Sequence, residues 1–115
     1  MQARKLTDTY TVAPQIQASD VPAIAAEGFR SIMCNRPDAE SAGQPPYAEI
    51  AAAGAAKGLV VRHVPVVSGM ITEADVEAFN KAIAELPAPV FAYCRSGARC
   101  TQLWSMSVAG QAGSH

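Results

Sequence analysis

No run in this 115-residue chain is long and apolar enough to cross a bilayer, and its first residues, Met1-Gln2-Ala3-Arg4-Lys5-Leu6-Thr7-Asp8, lack the apolar core of a secretion signal. An excess of one charge is missing too. Nine basic and ten acidic residues give a formal net charge of -1, which leaves no electrostatic footprint for nucleic acid or an anionic membrane, so any anion recognition must be local. Three cysteines, Cys34, Cys94 and Cys100, stand without metal-ligand spacing and with only two histidines, which argues against a structural metal site; no metal and no cofactor are expected. Reduced thiols and the missing leader together predict a cytoplasmic protein. There is no internal repeat. The length suits one domain over residues 1–115, enough chain to bury about two-thirds of its unfolded surface, with Gly113-Ser114-His115 expected to be tail.

What is present is an alternation of helical and extended segments. Thr9-Tyr10-Thr11-Val12 reads as a short extended stretch, and Ser19-Asp20 supplies an N-cap for a helix through Val21 and Ile24 to Gly28. A strand over residues 29–34 precedes a long polar loop that runs from Asn35 to Pro46. A helix over 47–57 ends at Gly58, and residues 59–64 are rich enough in β-branched side chains to read as a strand. Thr72 and Asp75 form a capping box for a third helix to about Leu86, with Val76, Phe79, Ile83 and Leu86 on its apolar face. After Pro87 and Pro89 comes a strand over 90–93, then a last helix from about Ala98 on which Leu103 and Trp104 pack. Such alternation predicts an α/β fold, a mostly parallel central sheet flanked by helices, with ligands outside the carboxyl ends of the strands.

The segment Tyr93-Cys94-Arg95-Ser96-Gly97-Ala98-Arg99-Cys100 falls at such an end. A loop folded round a helix N-terminus points amide N–H groups inward, the helix dipole adds positive charge, and an arginine offers a two-pronged contact to an oxyanion. A cysteine facing that cradle ionises below its usual pKa of about 8.5, which makes Cys94 the candidate nucleophile. Arg99 is the candidate oxyanion ligand. Ser96, Gly97 and Ala98 would bind an anion through their amides, Gly97 being free to take a positive φ. Arg95 has two readings, recognition of an anionic partner or simple solvation. Cys100 has three: a resolving thiol, a weak hydrogen bond to Cys94, or packing. Cys34 is expected in the core, and His63 as an ordinary strand residue. The carboxylates nearest strand ends are Asp38, in Arg36-Pro37-Asp38, and Glu73 and Asp75 at a helix start; each also has a structural reading as a cap or dipole partner.

Several segments in order carry a wider resemblance: Val12-Ala13-Pro14-Gln15-Ile16, Gly28-Phe29-Arg30-Ser31-Ile32, Asn35-Arg36-Pro37-Asp38, Gly43-Gln44-Pro45, His63-Val64-Pro65-Val66 and the Cys94 loop. Over most of its length the chain resembles the small bacterial domain of beta-lactamase-hydrolase-like proteins, also described as a sulfur transferase, with a dual-specificity-phosphatase-like fold. The resemblance implies a three-layer α-β-α, phosphatase-like domain with Cys94 as nucleophile and Arg99 as anion ligand; Asp38 and Arg36 are expected as acid or secondary site residues. It also implies a metallo-beta-lactamase-fold persulfide dioxygenase as a partner. Cys100 departs from the Ser or Thr usual there, and the last helix is expected to end early, at Ala109-Gly110, as in a truncated chain.

Cys94 and Arg99 enclose four residues, one fewer than in protein tyrosine phosphatases and as in many single-domain rhodaneses. Residues 66–71, where a phosphatase of this fold would place its acid, hold no carboxylate, so acid catalysis worth about 10²–10⁴ in rate would be missing. The leading expectation is therefore sulfur transfer through a Cys94 persulfide, with a small sulfur oxyanion or persulfide as substrate. The alternatives are a cysteine-dependent phosphatase of protein tyrosine or dual-specificity type, acting on phosphotyrosine or a small phosphate ester through the same Cys94, and a non-catalytic anion-binding or thiol redox-sensing module. The residues do not determine an oligomeric state.

Overall fold

The computed structural model describes residues 2–107. Within it, a five-stranded sheet has the order β1-β2-β5-β3-β4, from β1 (Arg4–Thr7), β2 (Tyr10–Ala13), β3 (Ser31–Cys34), β4 (Val60–His63) and β5 (Val90–Tyr93). β2, β5, β3 and β4 are parallel, and only β1 runs antiparallel, at the edge beside β2. The parallel strands form because helices α1 (Val21–Ala26), α2 (Tyr47–Ala56) and α3 (Glu73–Glu85) carry the chain back between them, and α4 (Ala98–Met106) follows the last.

β5 lies at the centre, and all four of its residues are buried, as the run Val-Phe-Ala-Tyr requires of a strand covered on both faces. Side chains alternate along it. Val90, Ala92 and, one step beyond the strand, Cys94 face a core shared with Phe79, Ala82 and Leu103 of α3 and α4. Phe91 and Tyr93 face the opposite core, with Ile24 of α1 and Ile50 of α2. The expected three-layer α-β-α architecture is thus present.

Most predicted elements lie within a few residues of their observed bounds. The Thr72–Asp75 capping box is formed, with Asp75 N donating to Thr72 Oγ1 at 3.1 Å and Thr72 N to Asp75 Oδ2 at 2.9 Å. Two differences have physical causes. Ser19-Asp20 does not cap α1 directly: Ala18–Asp20 is a 3₁₀ turn, and the Asp20 carboxylate accepts from Gln17 N at 2.8 Å. β1 was not expected, because an edge strand of Arg4, Lys5, Leu6 and Thr7 is exposed or half-buried and shows no apolar face. The expected helix end at Ala109-Gly110 and the tail Gly113-Ser114-His115 lie outside the described residues. No helix among the described residues is long and apolar enough to cross a membrane.

Gly54 shows how closely α2 sits on the sheet. A Cβ at this helical position would fall onto Cγ2 of Val61 in β4. Glycine in a helix costs about 1 kcal/mol against alanine, so its presence reports the close approach. Gly54→Ala should therefore lower stability, by about 1–3 kcal/mol through overpacking, despite its better helix propensity. Chemical denaturation checks this, and the double variant with Val61→Ala should recover part of the loss.

Candidate active site

All four parallel strands end at the same edge of the sheet, so the loops after Ala13, Cys34, His63 and Tyr93 meet there. Main-chain bonds knit them together. Cys94 N donates to Ala13 O at 3.3 Å, Gln15 N to Arg95 O at 3.3 Å, and Asn35 N to Tyr93 O at 2.8 Å. Asn35 Nδ2 donates to Val64 O at 2.9 Å, tying the β3 loop to the β4 loop.

The Cys94 loop turns on Gly97, whose φ of 91° is the left-handed conformation that glycine takes without penalty. A Cβ there would also lie 3.4 Å from the Ala13 carbonyl carbon. This turn brings Gly97 N back to donate to Cys94 Sγ at 3.1 Å. The Cys94 thiol is lowered to about 5. Its largest cause is a hydrogen bond from the Cys100 thiol, opposed by burial and reinforced by the backbone N–H groups of Cys100, Ser96 and Arg99. Cys100 moves the other way, pushed up by burial and then by its bond to Cys94, so it stays a neutral S–H donor beside a thiolate. Of the three readings of Cys100, packing is realised, since the residue is fully buried in the core, and its thiol is also the largest influence holding the Cys94 thiol down. Cys94 itself is fully buried beneath the loop.

Arg99 is also buried, and its guanidinium is clamped by a residue that the sequence reading passed over. Nη1 donates to Glu40 Oε2 at 2.7 Å and to Val66 O at 3.0 Å, while Nη2 donates to Glu40 Oε1 at 2.8 Å. The end-on fork of Arg99, expected to be free for an oxyanion, is therefore occupied. Nε and the second Nη2 hydrogen make no hydrogen bond among the described residues, which leaves the side-on fork. Glu40 Oε1 also accepts from Arg36 Nε at 2.8 Å, and Arg36 reaches Gln15 Oε1 and Ser41 Oγ through its other nitrogens. Held between two guanidiniums, with Arg99 the larger cause, the Glu40 carboxyl is lowered to about 2. It is ionised at any ordinary pH and has no proton to give.

The remaining candidates fall in different places. Arg36 is buried and positions Glu40. Asp38 Oδ1 accepts from Tyr47 N at 2.8 Å, which makes it a partner of the α2 N-terminus. Asp75 is engaged in its capping box, and Glu73 lines a separate surface depression beside α3. His63 stacks on Tyr47 with ring centroids 4.5 Å apart, and its Nε2 lies 2.9 Å from Arg36 O. Cys34 is in the core, bonded to Arg36 O. A solvent-open cavity of about 510 Å³ lies over the loop, lined by Glu40, Ser68, Arg95, Ser96, Arg99 and Gln102 among others. Among the described residues no cluster of His, Cys, Asp and Glu is placed to hold a metal ion.

With this geometry in view, residues 2–112 match the family described as beta-lactamase hydrolase-like protein, phosphatase-like domain. The beta-lactamase hydrolase-like protein of Agrobacterium fabrum is 38% identical over 109 residues, 95% of this chain but 25% of that protein. Its namesake from Xylella fastidiosa strain Temecula1 is 35% identical over 107 residues, again 25% of its length. The chain thus spans about a quarter of these curated relatives. A crystal structure from Neisseria meningitidis Z2491, described as a candidate phosphatase, is 39% identical with a TM-score of 0.82, covering 88% of this chain and 72% of that one. A Shewanella putrefaciens CN-32 structure at 17% identity, with a TM-score of 0.80 over 96% of this chain and 69% of that one, shares the phosphatase-like fold.

Two outcomes follow from the electrostatics. Alkylation of Cys94, followed by peptide mass spectrometry, should rise with pH through a midpoint near 5, and Cys100→Ala should move that midpoint upward. Glu40→Gln should lower stability at neutral pH by about 1.5–3 kcal/mol, the range for hydrogen bonds to charged groups. Because the folded-state pKa of Glu40 is depressed, its stabilisation is complete above the ordinary carboxylate pKa and is lost as pH falls toward 2. Melting curves of the variant and the parent should therefore converge over that interval.

Proposed function

Because the chain belongs to the phosphatase-like domain family of beta-lactamase hydrolase-like proteins, we propose that it is a cysteine-dependent phosphatase acting on small phosphate monoesters with good leaving groups. The observation that carries this reading is the Cys94 thiolate, lowered to about 5 at the base of a loop of inward amides, with Arg99 held so that one fork stays open. In the first step the Cys94 sulfur attacks phosphorus and the bond from phosphorus to the ester oxygen breaks. The leaving group departs as an oxyanion, and Cys94 carries the phosphoryl group as a thiophosphate. In the second, water attacks phosphorus, the S–P bond breaks, and Cys94 returns to its thiolate. The Cys100 S–H supports that departure, supplying the hydrogen bond that a hydroxyl at this position would otherwise provide.

The Gly97, Ser96 and Arg99 amides and the side-on fork of Arg99 would hold the equatorial oxygens as charge builds on them. Since Cys94 is buried, attack requires the structure over the sulfur to open. Leaving-group preference follows from the acids. Residues 66–71 hold no carboxylate, and Glu40 is locked in its ionised form, so phenoxides should be released far better than alkoxides.

The same observation favours a second reading, sulfur transfer. Attack of Cys94 on the outer sulfur of thiosulfate breaks the S–S bond and releases sulfite, a leaving group that needs no acid. The resulting Cys94 persulfide would pass its sulfur to an acceptor thiol or cyanide, and a metallo-beta-lactamase-fold persulfide dioxygenase would be a fitting partner. The third possibility, a redox-sensing pair of Cys94 and Cys100, predicts turnover of neither substrate.

One comparison decides. Under the same conditions, p-nitrophenol release from p-nitrophenyl phosphate should exceed thiocyanate formation from thiosulfate and cyanide, and both should vanish in Cys94→Ser. Arg99→Lys should lose at least about tenfold in kcat/KM, because a point charge cannot reproduce the two-pronged contact. Efficient thiocyanate production with negligible phosphate release would replace the phosphatase reading by sulfur transfer.

A further inference from the structure

We propose that Arg95 and Gln102 form a second anion subsite at the mouth of the cavity, so that the substrate is a small organic phosphomonoester bearing a carboxylate. The proposal rests on the phosphatase reading and narrows its substrate class.

Size is the first argument. The cavity of about 510 Å³ falls within the range of sites that hold organic ligands, and a lone tetrahedral oxyanion at the Cys94 loop fills only a small part of it. The rest must take the organic portion of the substrate.

Charge is the second. Glu40 is shared by Arg36 and Arg99, so this trio retains one positive charge, and the Cys94 thiolate opposes it. Arg95 is then the uncompensated cation of the cavity lining: it makes no side-chain hydrogen bond or ion pair with any described residue. Its backbone is not free to drift, because Gln15 N holds the Arg95 carbonyl at 3.3 Å where the residue lines the cavity. One surplus positive charge suits a carboxylate better than a second dianionic phosphate.

Helical spacing is the third argument. On α4, Gln102 lies three residues after Arg99 and four after Ala98, spacings that make it a surface neighbour of each, and all three line the cavity. A ligand on the side-on fork of Arg99 therefore has Gln102 as a neighbour one helical turn along α4. The Gln102 side-chain amide is unengaged by the described residues and can donate to a carboxylate or accept from a neighbouring amide.

The test uses N-acetyl-O-phosphotyrosine and its carboxamide, which share the phosphoryl group and the phenol and differ by one charge. Isothermal titration calorimetry on Cys94→Ser should show the acid binding about threefold to fivefold more tightly, the upper part of what an exposed ion pair contributes. That preference should disappear in Cys94→Ser/Arg95→Gln and shrink at about 0.5 M NaCl. Equal affinities for acid and amide in Cys94→Ser would overturn the subsite while leaving the phosphatase reading supported by the phosphoryl binding itself. A preference retained without Arg95 would equally overturn it. If neither probe binds and the wild-type protein does not hydrolyse p-nitrophenyl phosphate, the underlying reading fails and the subsite with it. Should Cys94→Ser not fold, the same preference is read as a ratio of KM values for the two compounds in wild type and Arg95→Gln.

Discussion

A thiolate at the end of a buried strand is stable only if donors surround it, and here the left-handed turn at Gly97 brings them. Without that turn, Gly97 N could not reach Cys94 Sγ, the first turn of α4 would not stand over the sulfur, and Cys100 would not face it. The turn also needs room. Gly97 sits against the Ala13 backbone, so the end of β2 sets how closely the loop can fold, and β2 keeps its place through its parallel pairing with β5. The central strand, the glycine and the first residues of α4 therefore act as one unit.

Around that unit, Glu40 and the two guanidiniums solve a problem of partial burial. Arg99 cannot sit buried beside the core without a counter-charge, yet a counter-charge that covered the whole guanidinium would leave nothing for an oxyanion. End-on pairing with Glu40 satisfies both demands, because the side-on edge stays available. Arg36 in turn fixes Glu40, Gln15 and Ser41 fix Arg36, and Val66 O accepts from Arg99 itself, so the loops after β2, β3 and β4 determine where the Arg99 guanidinium lies. The same pairing removes Glu40 as a proton donor, which ties the geometry of anion binding to a preference for leaving groups that depart unassisted.

The local part of this arrangement was legible in the sequence. Cys94, Gly97 and Arg99 lie within one strand-loop-helix segment, where chain direction, helix dipole and glycine conformation are all short-range properties. α3 was legible for the same reason, through its capping box and the spacing of Val76, Phe79, Ile83 and Leu86. Glu40 was not, since it lies 59 residues from Arg99 in a polar loop with no periodicity to mark it. Asp38 was the more visible carboxylate there, and what separates the two is the backbone between them. Ala39 has a φ of 63°, a left-handed turn at a residue that carries no signal for one, and it sends Asp38 to the α2 N-terminus while Glu40 goes to Arg99. β1 escaped notice because edge strands can be polar on both faces. The leading sulfur-transfer expectation drew on loop length and a missing acid, both real features; the phosphatase-like family and its structural neighbours favour phosphoryl transfer on the same sulfur.

The central claim is that Cys94 carries the transferred group. Mass spectrometry of the protein quenched in acid during turnover of p-nitrophenyl phosphate tests it most directly. The account predicts one phosphoryl group on the peptide containing Cys94, absent from Cys94→Ser and accumulating in Cys100→Ala, where the departing thiolate loses its hydrogen bond. A phosphoryl group found elsewhere, or turnover with Cys94 unmodified at every time point, would contradict it.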